Sequence, residues 1–417
     1  MADNSTRRGP PDSSAPSRRW LLKAAGAGGV GFLAERAFAQ ATVHLPLPGG
    51  PSTREIVTDF PQKGPMILQR VRPPLLETPW EVFDKGVFTP NDQFFVRWHW
   101  SSIPSEVDAD AFRLAVGGHV ERPLSLSLQD LVKDLPRVDL AAVNQCSGNS
   151  RGFFEPRMAG AQWSNGAMGN ALWGGVRLKD VLDRAGVKAG ALQVRFKGLE
   201  EPMMPDAPHF MKSLTLDHAR DGEVMIAYAM NGTQLPLLNG FPLRLIVPGW
   251  YSTYWVKMLS DIEVLDQPDT NYWTKSAYTI PDTPNANVTP GQTGVKMVPL
   301  TRMIPRSFVT NLADGARVPA RTALDVRGIA FGGDCGVSAV DVSLDGGKTW
   351  TPTRLEKDEG TYSFRQWSAQ VTPAAPGPST LLVRCTNTKG EVQPMSPNWN
   401  DHGFMRNVIE RTPFTAT

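Results

Sequence analysis

The chain has 417 residues, 41% of them apolar and 20% charged, with 43 basic against 41 acidic side chains. That length exceeds one ordinary core and asks for two domains at roughly 150 residues each, and the apolar fraction excludes a disordered chain. A formal charge of +2 with the signs interspersed leaves no nucleic-acid footprint, so any anion site must be local.

The N-terminus reads as an address. Ser17-Arg18-Arg19-Trp20-Leu21-Leu22-Lys23 has the form of a twin-arginine export motif. A mild apolar run at 24–34 and an Ala37-Phe38-Ala39 cleavage site follow it. We expect residues 1–39 to be a signal peptide and the mature protein to reach the periplasm already folded. The apolar run is too short and Gly-rich to span a bilayer, which takes about 20 apolar residues. No other segment reads as a membrane span. Only Cys146, Cys335 and Cys385 are present, so the fold does not rest on a disulfide framework.

Residues 40–72 are punctuated by Pro and Gly and read as irregular. From 73 to about 281 the pattern is mixed α/β. Residues 94–100 and 112–116 are strand candidates. Ser127 can cap a short helix running to Leu135, with Asp130 favourable in its first turn. Leu178, Val181, Leu182 and Ala185 recur at helical spacing until Gly186. Residues 223–230 and 243–247 read as buried strands. The turn-rich stretch 280–294 marks a boundary, with the first large domain at 40–283 and the second at 284–417. Beyond it come short strands: 323–329, a hairpin at 340–350 turning on Asp345-Gly346-Gly347-Lys348, and 381–385. The whole is α+β: a mixed α/β domain followed by an all-β sandwich of immunoglobulin type. There is no internal repeat and no C-x-x-C-H haem-attachment motif.

The candidate chemistry centres on Cys146. The string Asn144-Gln145-Cys146-Ser147-Gly148-Asn149-Ser150-Arg151-Gly152 places one thiol between an apolar approach and a glycine-bearing loop. A metal ligand or nucleophile and a buried structural thiol both remain open from spacing alone. Arg151 favours a thiolate and could hold an oxyanion. Arg97 and His99 share one face if 94–100 is a strand, which suits an anionic or phosphate-bearing ligand, although an outward-facing pair fits equally. Arg244 lies in an apolar strand and needs a partner if buried; a bound phosphate would serve.

Together these stretches resemble the sulfite oxidase family of molybdopterin enzymes. The resemblance rests on Phe95-Val96-Arg97 through His99, the Cys146–Arg151 loop, residues 227–232 with Gly240-Phe241-Pro242, and Val247-Pro248-Gly249 with Lys257. Residues 341–347 and Pro397-Asn398-Trp399-Asn400 continue it into the second domain. It runs from about 73 to 414, nearest to the periplasmic bacterial sulfite dehydrogenases. It implies molybdenum carried by molybdopterin, with Cys146 as the protein's thiolate ligand. It places Arg97, Arg151, Tyr278 and Trp163 about the substrate pocket. Phe95, Val96, Arg97, His99, Asn239, Arg244, Trp255, Val256 and Lys257 would lie against the cofactor. Asn239 stands where animal members carry His, and His402 where they carry a further Arg.

The implied reaction is oxidation of sulfite to sulfate, with electrons passed singly to a c-type cytochrome in another protein or subunit. No haem is expected in this chain. A homodimer through the second domain fits the family. Another sulfur-compound dehydrogenase, a nitrate reductase or a sulfoxide reductase on the same scaffold are alternatives, as is an exported binding protein without catalysis. For Cys335 and Cys385, with Trp350 between them as in immunoglobulin domains, a bridge and two free thiols are both open. Folded export from a reducing cytoplasm favours free thiols.

Overall fold

The computed structural model describes residues 41–417; the export motif lies outside them. The segment expected to be irregular is sheet. Thr42–His44, Thr53–Val57 and Met66–Arg70 pair in order with Leu75–Glu77 and Val96–Arg97. Strands of three to five residues are too short to show a period in sequence, and only pairing with their neighbours makes them regular.

A second sheet orders Met211–Thr215, Gln193–Gly198, Leu259–Leu265, Leu114–Gly118 and Leu124–Leu126, the third and fourth of these running parallel. A third sets Thr233–Gln234, Met225–Met230, Met168–Arg177 and Arg137–Gln145 side by side, with Arg244–Ile246 against Met225–Met230. The mixed α/β expectation overstated helix. Among the described residues the α-helices are Leu128–Asp134, Leu178–Ala185 and Leu216–Ala219. The first has a complete capping box between Ser127 and Asp130. The second buries Leu178, Val181, Leu182 and Ala185 and ends at Gly186, whose φ of 71° suits glycine.

The C-terminal strands form two sheets. One orders Arg306–Val309, Leu324–Phe331, Arg365–Val371 and Arg354–Leu355; the other Ala316–Val318, Glu410–Ala416, Gly377–Asn387, Val337–Ser343 and Thr351–Pro352. Val326 and Trp367 from the first meet Val340, Leu381 and Val383 from the second in one core. The core tryptophan is Trp367 rather than Trp350, whose ring is half-buried beneath the Arg384 guanidinium. Residues of this region also enter the larger core, where Phe308, Ile329, Phe331 and Phe364 join the residues around Cys146.

All three cysteines are free and buried. The Cys385 thiol faces the Phe331 carbonyl at 3.7 Å and the Cys335 thiol the Gly332 carbonyl at 3.8 Å. Alkylation in denaturant without reductant should therefore label three thiols per chain by intact mass. A product two labels short would contradict the free pair.

Candidate active site

Arg137–Gln145 changes character along its length. Its first half alternates between exposed and half-buried positions, and its last five residues are all buried. It pairs residue for residue with Met168–Arg177, up to Gln145 opposite Met168, and the Cys146 N–H continues the ladder to the Ala167 carbonyl at 2.9 Å. The thiol is thus delivered to the interior at a strand end. Beyond it the chain turns tightly: Asn149 N–H donates to the Cys146 carbonyl and Arg151 N–H to the Gly148 carbonyl. A Cβ at Gly148 would lie 2.5 Å from the Arg151 guanidinium, so a larger residue there would have to displace that side chain.

The Cys146 loop is clamped from two sides. Ser150, at φ 69°, hydrogen-bonds through Oγ to Asn165 at 2.6 Å and accepts from Arg306 Nη2 at 2.9 Å. From the C-terminal segment, Met405 N–H donates to the Ser147 carbonyl at 3.1 Å, and the His402 carbonyl accepts from Arg151 Nε at 2.9 Å.

Beside the thiol lies a small cavity. Of the residues named from sequence, Phe95, Arg97, His99, Cys146, Asn239, Arg244, Lys257 and Tyr278 line it. Asn144, Ser147, Ser252 and Thr253 line it too and were missed. Asn144 was within reach, being a polar residue in an otherwise apolar strand end two positions before the cysteine. Five named residues do not line it. Val96 packs into a neighbouring apolar cluster. Trp255 and Val256 are buried behind the wall, where the Val256 carbonyl accepts from Leu245 N–H at 2.9 Å. Trp163 is buried with its carbonyl bonded to Gly152 N–H. The Arg151 guanidinium bonds to the His402 and Ala161 carbonyls and sits 5.3 Å from the Phe404 ring centre.

The wall is rich in cations and unpartnered donors. Arg244 donates to the Asn239 carbonyl and to Asn144 Oδ1, both at 3.0 Å, and its guanidinium lies 5.2 and 5.9 Å from the Trp173 and Trp255 ring centres. Its Nε, Arg97 Nη1 and Asn144 Nδ2 are buried without a partner. A buried donor left unmade costs about 1–3 kcal/mol, so this arrangement calls for an acceptor. Burial pulls Lys257 down to about 7 and Arg244 to about 9. Lys63 and Lys212, also buried, fall to about 7 by the same desolvation, against the pull of Asp92 and Asp269 respectively.

At the other end, His99 and Tyr278 share a 2.7 Å hydrogen bond. Burial, reinforced by Arg97, Lys257 and Lys212, holds His99 well below the ordinary imidazole range, so the ring is neutral. Its Nδ1 faces Glu200 Oε1 at 3.6 Å, and Glu200 also accepts from the backbone N–H groups of His99 and Trp100. With the ring proton on Nδ1, toward that carboxylate, the Tyr278 hydroxyl would donate to Nε2. Burial also raises Tyr278, keeping it a phenol.

Comparison with known proteins agrees with this arrangement. Residues 100–273 match the oxidoreductase molybdopterin binding domain, and residues 300–415 match the Mo-co oxidoreductase dimerisation domain. The protein is a molybdopterin oxidoreductase with a C-terminal dimerisation domain. Sulfite oxidase of Gallus gallus is 31% identical over 384 residues, 87% of this chain and 81% of its own. Mitochondrial sulfite oxidase of Mus musculus is 34% identical over 376 residues, 85% of this chain and 66% of its own. The chain belongs to the sulfite oxidase family, and it spans about two thirds of the length of the mammalian relatives it matches. The crystal structure of the sulfane dehydrogenase SoxCD from Paracoccus pantotrophus shares the fold, with a TM-score of 0.69 at 24% identity over 94% of this chain and 93% of that one.

The residues fit a molybdopterin cofactor. Among the described residues no three His, Cys, Asp or Glu side chains converge as a metal site. Cys146 would be a protein ligand to the metal, and the unpartnered donors suit the phosphate of its organic carrier.

The buried lysines give a pH signature. Between the folded and unfolded pKa of each lysine the unfolded chain binds more protons, so stability rises with pH there. Cofactor-free protein should gain thermal stability from about pH 7 to about pH 8.5, above which unfolded cysteines begin to ionise. An anion in the cavity restores the lysine charges and should flatten that rise. A flat or falling melting temperature in the cofactor-free protein would contradict the burial of these charges.

Proposed function

We propose that this chain oxidises sulfite to sulfate in the periplasm and passes the electrons, one at a time, to a c-type cytochrome. The observation that carries this reading is a single buried thiol beside a cavity walled by Arg97, Arg244 and Lys257. Membership of the sulfite oxidase family supports sulfite as the substrate. Molybdopterin, when bound, supplies the two-electron oxidation and the transfer of oxygen to sulfur. Overall, sulfite and water give sulfate, two protons and two electrons.

The chain's own residues bind, orient and exclude. Arg244, Lys257 and Asn239 would hold the phosphate end of the cofactor, and Cys146 would hold the metal. Arg97 would bind the sulfite dianion through its free Nη1, a charge-assisted bond that strengthens away from water. Neutral His99, pinned by Glu200, fixes the Tyr278 ring at the cavity wall. The Phe404 ring, stacked on Tyr278 with centres 5.6 Å apart, closes that side against water. Arg151 lies outside the wall, its guanidinium held by the His402 and Ala161 carbonyls. The twin-arginine motif in the sequence supports export, and the dimerisation-domain match supports a homodimer.

Purified protein should contain molybdenum and reduce cytochrome c only when sulfite is added. Molybdenum-replete protein that leaves sulfite untouched would overturn the substrate. Cys146→Ala should fold yet lose sulfite oxidation, and near-normal turnover with molybdenum bound would remove Cys146 from the metal. Arg97→Gln deletes one charge-assisted bond, a cost of about 1.5–3 kcal/mol, or roughly 10- to 150-fold in the sulfite KM. An unchanged KM would place the substrate elsewhere.

A further inference from the structure

The cavity has two asparagines whose amide orientations are set by cations behind them. Lys63 is one of these cations, on a turn far in sequence from every other site residue. It is 8% exposed, and its Nζ donates to the carbonyls of Asn91 and Phe94 at 2.8 and 2.9 Å and to Asn239 Oδ1 at 2.5 Å. An ammonium has no acceptor, so it can donate only to the oxygen of the Asn239 amide. On the opposite side Asn239 Nδ2 donates to the Phe95 carbonyl at 3.1 Å, and a carbonyl accepts only the nitrogen. The two partners therefore agree on a single orientation, which leaves the second N–H of Asn239 without a protein acceptor on a residue that lines the cavity.

Asn144 repeats the arrangement. Its Oδ1 accepts from Arg244 Nη2 at 3.0 Å, and its Nδ2 is buried without a partner. Asn144 is 0% exposed and Asn239 1% exposed. A freely rotating amide could offer either its oxygen or its nitrogen to a ligand. These two can offer only nitrogen, next to the unpartnered Arg244 Nε and the Lys257 ammonium.

We propose that Lys63 and Arg244 are positioning residues that lock Asn239 and Asn144 with their amide N–H groups toward the cavity, making one end of it a donor-only wall that takes a phosphate-type group. A phosphate monoester dianion offers acceptors alone and satisfies every donor on this wall. A group carrying an N–H or O–H of its own would leave one donor facing another. The inference rests on the reading of the cavity as the cofactor's seat and names what orients the two amides at its phosphate end.

Asn144→Asp and Asn239→Asp keep shape and volume but replace the free N–H by an oxygen. Two readouts apply: pterin per chain, by fluorescence of the oxidised pterin released on denaturation, and inorganic phosphate affinity of cofactor-free protein, by calorimetry. Each Asp variant should bind phosphate at least about tenfold more weakly, the loss of one bond to a charged group, and should retain correspondingly less pterin. Lys63→Met should match Asn239→Asp, and combining the two should add little. Lys63→Arg, a donor-only cation, should restore pterin, whereas Lys63→Gln, which can also accept, should not. Lys63→Arg and the Asp variants also answer the question if Lys63→Met fails to fold. Asp variants that bind phosphate as the parent does, or a Lys63→Gln variant equal to Lys63→Arg, would overturn the donor-only wall. A parent protein that carries no pterin yet binds phosphate in this pattern would sink the cofactor reading and leave the wall standing.

Discussion

The structure depends on keeping several positive charges out of water around one cavity. Arg97, Arg244 and Lys257 stand on its wall, with Lys63, Lys212 and Arg151 behind them. The carboxylate beside His99 is Glu200, which is already engaged by two backbone N–H groups. Desolvation pulls three lysines down to about 7, because the fold brings them too little opposite charge to offset the loss of water. An anion in the cavity would stabilise the charged form of Lys257 on its wall.

Aromatic rings make such burial tolerable. Arg244 lies beside the Trp173 and Trp255 rings, Lys257 over Trp98 at 4.4 Å, and Lys212 over Tyr254 at 4.3 Å. These contacts supply partial negative charge without supplying a counter-ion. The cations are held in place yet remain available to a ligand, which is what a site for an anionic group requires.

The second requirement is rigidity at the thiol. The strand Arg137–Gln145 aims Cys146 inward, and the sandwich region locks the following turn through Arg306 to Ser150. Arg306 is itself paired with Glu410 at 2.7 Å, in the strand Glu410–Ala416. The segment between Asn398 and Arg406 lies across the Cys146 loop, braced by Asn400, which binds both the N–H and the carbonyl of Phe404. The two regions share a core and cooperate in the site, which explains why a single compact unit contains both.

Much of this was legible in the sequence. The helix capped at Ser127, the helix stopped at Gly186 and the hairpin at Asp345 are local, because caps, turns and periodicity act over a few residues. Arg97, Cys146, Arg244 and Lys257 were found because their segments match the family's order. The sheet formed by the first strands was not legible, since strands of three to five residues acquire regularity only from partners elsewhere in the chain. Nor were Asn144 and Lys63. A lysine between a glutamine and a glycine reads as solvated surface until the fold closes over it, and an asparagine's donor and acceptor are interchangeable until fixed neighbours decide which end faces inward. By itself the sequence determined which chemical groups are present and the order in which they arrive. Only the tertiary structure decided which of them lose water together, and desolvation is what turns ordinary cations and amides into a site.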